Sequence, residues 1–190
     1  MNEQELDTQI RAAADAFNNY RDALYPSTLK LIRNTNFVLT RLLLTVASIG
    51  DRFPVERLRS TAMSLEFLDQ AAYLALLSRK TDNLSDQNLL GTDYFYAEAI
   101  KQVVGLDDPR IIAILARAIA DTAAARASGD TGATHLKYLV AAAVELGLMI
   151  GGCDSNLAEI VHNVIRSRDS DIEDRLFAEL TALGIGRETI

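Results

Sequence analysis

Tryptophan is absent from this 190-residue chain, cysteine occurs once, histidine twice and proline three times. The single Cys153 excludes an internal disulfide and any metal site built from several thiolates, and it fits a reducing compartment. With so few prolines, long stretches run with nothing to break a helix. Aromatics make up only 6% of the residues, so alanine, leucine and isoleucine carry the apolar content, a mixture that favours helices over sheets. A surplus of positive charge is also missing. The formal net charge of −7 argues against a broad nucleic-acid surface, which needs clustered cations. The local pairs Arg57 with Arg59 and Arg166 with Arg168 read as solvated faces rather than phosphate sites.

No apolar run is long enough to span a membrane. "FVLTRLLLTVASIG" and "YLVAAAVELGLMIGG" are interrupted by Arg41 and Glu145. The opening "MNEQELDTQIRAAADAF" is polar and amphipathic, unlike a signal peptide, so a cytoplasmic protein is expected. A nucleotide fingerprint is lacking too: "GLMIGG" has neither the spacing nor a preceding strand.

What remains is helical periodicity. Ile10, Ala13, Ala14 and Phe17 recur at helical spacing and predict a first helix over about Glu5 to Tyr25. Pro26 ends it, and a second helix is expected from about Leu29 to Ser48. Gly50 and Asp51 turn the chain, and Pro54 sits just inside the start of a third helix, Val55 to Leu77. Further helices are expected over Gln87 to Val104, Arg110 to Arg126, His135 to Ile150, Asn156 to Arg168 and Ile172 to Leu183. The expectation is a single all-α domain over 1–190, an antiparallel bundle of seven or eight helices.

Magnesium chemistry on a diphosphate needs carboxylates converging on one cavity. In "RDSDIEDR", Asp169 and Glu173 lie four apart, and Asp171 and Asp174 three apart. They form two pairs on different faces and read first as a helix start. Asp82 and Asp86 share four-residue spacing in a loop-like segment. Asp107 and Asp108, before Pro109, read as a turn. His135 and His162 have no acid or cysteine at useful spacing, and Cys153 shows no base partner. Lys80, Lys101 and Lys137 are isolated cations. Asp93 follows Gly91 and Thr92 and precedes Tyr94, Phe95 and Tyr96 in an otherwise ring-poor chain. It is expected to stabilise the start of its helix, with no metal contact.

"LLGTDYFYAEA" resembles a segment of the trans-prenyl diphosphate synthases, where a leucine-rich piece leads into Gly-Asp-Tyr and an alanine-rich helix. Asp93 and Tyr94 match, and Thr92 stands where the glycine would be. "GLDDPRIIAILARAIADTA", "LVAAAVELGLMIGG" and "AMSLEFLDQAAYLALL" resemble three other helices of that family. The resemblance spans residues 35–153 and implies an isoprenoid synthase fold, shortened at its C-terminus. The family's reactive groups do not carry over. Leu76 and Leu77 stand where the first aspartate-rich motif would begin. "TNFVLTR" replaces the N-terminal basic element, and the Lys-Thr motif has no match near His135 to Tyr138.

The resemblance therefore implies a non-catalytic or regulatory subunit of a heteromeric long-chain prenyl diphosphate synthase, paired with a catalytic large subunit. Leu76, Leu77, Tyr94 and Phe95 would line an apolar channel or support the interface. No cofactor is expected on this chain alone, and magnesium would belong to the partner. The alternatives are a homodimeric non-enzymatic protein on the same scaffold, binding an apolar ligand or a protein, and a prenyltransferase with an altered metal site.

Overall fold

A computed structural model describes residues 2–23, 37–77, 85–128 and 134–153. These residues form six helices and no strand: α1 (Glu3–Asp22), α2 (Val38–Ala47), α3 (Val55–Leu77), α4 (Ser85–Val104), α5 (Pro109–Ala127) and α6 (Thr134–Gly151). The third helix matches its sequence expectation at both ends. The second does not: Phe37 adopts a left-handed conformation (φ 52°), so no continuous helix runs through it to Ser48. The helices expected after residue 153 lie outside the described residues.

The protein is an all-helical bundle arranged around α3, which touches each of the other five helices. Apolar and small residues are spread around all its sides rather than along one stripe, which is the pattern of a helix enclosed by others. Leu58, Leu65, Phe67, Leu68, Ala71 and Leu74 are all buried. So are Thr61, Ser64, Glu66, Asp69 and Gln70. Burying polar groups is costly unless they are hydrogen-bonded. Glu66 shows how the cost is met: its Oε1 accepts from the Thr40 amide at 3.1 Å and from the Thr40 hydroxyl at 2.9 Å. Phe37, at the N-cap of α2, makes no side-chain cap bond. The acceptor for a first-turn amide of α2 thus comes from α3, and its charge lies at the positive end of the helix.

Two glycines set the approach of α6 to α2. A Cβ on Gly147 would lie 2.8 Å from the Leu43 carbonyl oxygen and 2.9 Å from Val46 Cβ. One on Gly151 would lie 2.6 Å from the Ala47 carbonyl oxygen. Only bare backbone fits there. Gly152 then ends the helix with φ +71°, and the Cys153 amide donates to the Leu148 carbonyl at 2.9 Å. That six-to-one bond is a Schellman closure. "GLMIGG" is therefore a helix contact followed by a cap.

Candidate functional site

Six ring side chains converge on one side of α3. Phe67 packs against Phe17 (5.0 Å between centroids), Tyr20 (5.6 Å) and Phe95 (6.0 Å). Phe37 meets Phe17 edge-on, and Tyr94 meets Phe95 in the same way. Six of the scarce aromatics are thus gathered from α1, α3, α4 and the residue before α2 into one cluster. Phe95 is completely buried in it. It supports the interior and offers no exposed surface. Tyr94 is half-buried beside it, and Leu76 and Leu77 are half-buried at the end of α3.

Asp93 has a different role from the one expected. It is exposed and lies two turns inside α4, which begins at Ser85. The favourable effect of an acid on a helix dipole is confined to the first turn. Asp93 therefore does not act as a helix-start group. Among the described side chains of α4, the buried acid is Glu98, just over one turn further on. It accepts a hydrogen bond from the Tyr20 hydroxyl and pairs with Lys101 at 3.2 Å. Lys101 also donates to the Tyr20 oxygen at 2.8 Å. Burial and the Glu98 carboxylate push the Tyr20 hydroxyl above its usual value. Burial, with Glu98 nearby, does the same to Tyr94. This trio ties α1 to α4 at the edge of the ring cluster.

The "LDDPR" turn also holds more than a turn. Asp107 takes up the positive φ (50°). Asp108 is buried and caps α5, its Oδ1 accepting from the Arg110 amide at 3.0 Å. Its carboxylate also pairs with the Arg110 guanidinium at 2.8 Å and with Arg57 of α3. The Arg110 hydrogen bonds, joined by that from Arg57, hold its pKa well below the usual carboxylate range despite partial desolvation. The reading of Asp107 and Asp108 as a turn left out this burial of Asp108. Two arginines neutralise Asp108, and that makes its burial tolerable.

Those two arginines open onto a cleft of about 490 Å³, lined by Arg52, Phe53, Pro54, Arg57, Arg110, Met149 and Ile150. Arg59, by contrast, pairs with Glu56 at the surface. Arg52 and Arg110 were not singled out in the sequence. The available signal is that arginines flank both proline-marked helix starts, in "DRFPVER" and "DDPR".

Among the described residues, no group of three or more histidine, cysteine, aspartate or glutamate side chains is placed to hold a metal ion. Lys80, Asp82, His162, Asp169, Asp171, Glu173 and Asp174 lie outside the described residues, as do the side chains of Asp86 and His135. Cys153 is a half-buried free thiol after the α6 cap. No described helix is long and apolar enough to cross a membrane. Comparison with family models, with curated proteins and with solved structures found no match.

Proposed function

We propose that this chain is a non-catalytic subunit of a heteromeric long-chain prenyl diphosphate synthase, acting on product length or on the stability of a catalytic partner. The observation that carries the reading is the end of α3. Leu76 and Leu77 are half-buried apolar residues where the resemblance asks for magnesium-binding acids. Leucines cannot coordinate magnesium, so charge developing on a leaving diphosphate would have to be stabilised by another chain. An all-helical bundle is the frame this reading needs. Leu89 and Leu90, 58% and 69% exposed on α4, offer apolar surface that a partner would cover.

The test is co-expression with intact prenyl synthases from the same genome, followed by size-exclusion chromatography and product analysis. A stable complex with changed chain length supports the reading. Absence of any complex, with unchanged products, overturns it. Magnesium-dependent condensation by the pure chain would overturn it in favour of an altered-site enzyme. A stable homodimer indifferent to every synthase would favour the non-enzymatic homodimer.

A further inference from the structure

The arginine cleft lies where the start of α3, the start of α5 and the end of α6 meet, and it is walled by side chains of opposite character. Phe53, Met149 and Ile150 supply apolar surface, while Arg52, Arg57 and Arg110 supply three guanidinium groups. In a chain of net charge −7, this is a local reversal of sign. Asp108 engages two of the three, Arg57 and Arg110, and takes up one of the three charges. The neighbouring acids Asp51 and Glu56 are exposed, and neither lines the cleft. Glu56 is turned to Arg59.

Neutralising Asp108 accounts for Arg57 and Arg110 but not for Arg52. The Arg52 amide donates to the Gly151 carbonyl at 2.9 Å. Its aliphatic stem passes over Gly152, where an added Cβ would come within 3.3 Å of it. The α6 cap thus positions Arg52 by its backbone and stem, while among the described residues its guanidinium forms no ion pair. Arg57 likewise keeps donors in excess: Asp108 engages one amino group, and the Nε–H is buried with no acceptor among the described residues. Planar guanidinium forks match phosphate and carboxylate oxygens in two-point contacts. The start of α3, with Pro54 just before the helix and Arg57 in its first turn, adds the positive end of a long helix.

We propose that this cleft is a binding site for a small oxyanion carrying two or more negative charges, a diphosphate or a polycarboxylate, with room on the apolar wall for a hydrophobic substituent. Binding requires no metal, because the arginines themselves supply the countercharge. The site lies at the N-terminal end of α3, and Leu76 and Leu77 lie at its C-terminal end. It is therefore independent of the subunit reading given above.

Isothermal titration of the full chain with inorganic pyrophosphate, in buffer containing EDTA, tests this directly, with citrate titrated in parallel. Saturable one-to-one binding of either is expected, and the tighter of the two identifies the oxyanion class. Arg52→Ala should weaken binding about tenfold or more, the loss expected for one charge-assisted contact. Arg52→Glu should abolish it. Circular dichroism should show both variants folded, since the exposed Arg52 guanidinium holds nothing in place. Arg59→Ala, which removes a cation outside the cleft, should bind like the parent. Failure of both anions to bind at millimolar concentration overturns the site. So does an equal loss in the Arg59 and Arg52 variants, which would show diffuse charge attraction only.

Discussion

The two flanks of α3 fill space in opposite ways. Where α1, α3 and α4 meet, the gap is filled by the largest side chains available, Phe17, Phe67 and Phe95, with Tyr20 and Tyr94 at the rim. Where α2 meets α6, it is closed by removing side chains altogether, at Gly147 and Gly151. The ring side can hold the helices farther apart and retains a polar rim of Tyr20, Glu98 and Lys101. The glycine side brings backbones together and leaves little room for adjustment. One flank is sensitive to lost volume and the other to gained volume, because protein interiors are packed close to crystal density.

The sharpest break of that contrast is Phe67→Ala. It removes the ring shared by α1 and α4 and should cost about 3–5 kcal/mol, read as a lowered midpoint in urea unfolding. Gly147→Val attacks the other flank by adding volume where even one carbon overlaps the Leu43 carbonyl. A loss of about 3 kcal/mol is expected in the same measurement. Gly105→Ala is its reference, since an added Cβ there meets nothing within 4 Å. It should be neutral or stabilising by up to about 1 kcal/mol.

Tyr20→Phe keeps the ring cluster and deletes the polar rim. The cost should be about 1 kcal/mol, the worth of one hydrogen bond to a carboxylate in a half-exposed setting. The same contact makes stability depend on alkaline pH. A tyrosine whose pKa is raised by folding contributes stability that is full below its ordinary value near 10, and that is lost as pH rises through the raised one. Tyrosinate absorbance should therefore show late-titrating groups in the folded parent, one fewer in Tyr20→Phe.

Asp108 titrates in the opposite direction. Its folded pKa is depressed, so its contribution is present above the ordinary carboxylate value near 4 and is lost as pH falls below it. Asp108→Asn should flatten the acid limb of a plot of melting temperature against pH. The smallest effect is expected from Asp93→Asn, an exposed mid-helix change worth less than about 0.5 kcal/mol in thermal unfolding, with or without magnesium.

Much of the helical layout could be read along the chain. Pro54 and Pro109 mark the starts of α3 and α5, and Gly105 and Gly152 follow the ends of α4 and α6. These signals are local, because they depend on φ restriction and on unpaired amides within one turn. The break at Phe37 carries no such mark, since a bulky residue takes a left-handed conformation only when its surroundings impose it. The candidate sites were less legible still. The ring-rich stretch drew attention to Asp93, which proves to be exposed, and nothing in the sequence pointed to Glu66 and Glu98, which are buried. An acid on a helix reads the same in either setting, and only its neighbours across the bundle distinguish them.

The sequence by itself determined that the chain folds into helices and where several of them start and stop, because propensity, periodicity and caps act within a few residues. Only the tertiary structure decided which polar groups would be tolerated inside. Glu66 is bound to Thr40 twenty-six residues away, and Asp108 to Arg57 fifty-one residues away. Only the tertiary structure brought Arg52, Arg57 and Arg110 to one cleft as well. The energy of a charge depends on what stands beside it, and for these residues the neighbours come from distant parts of the chain.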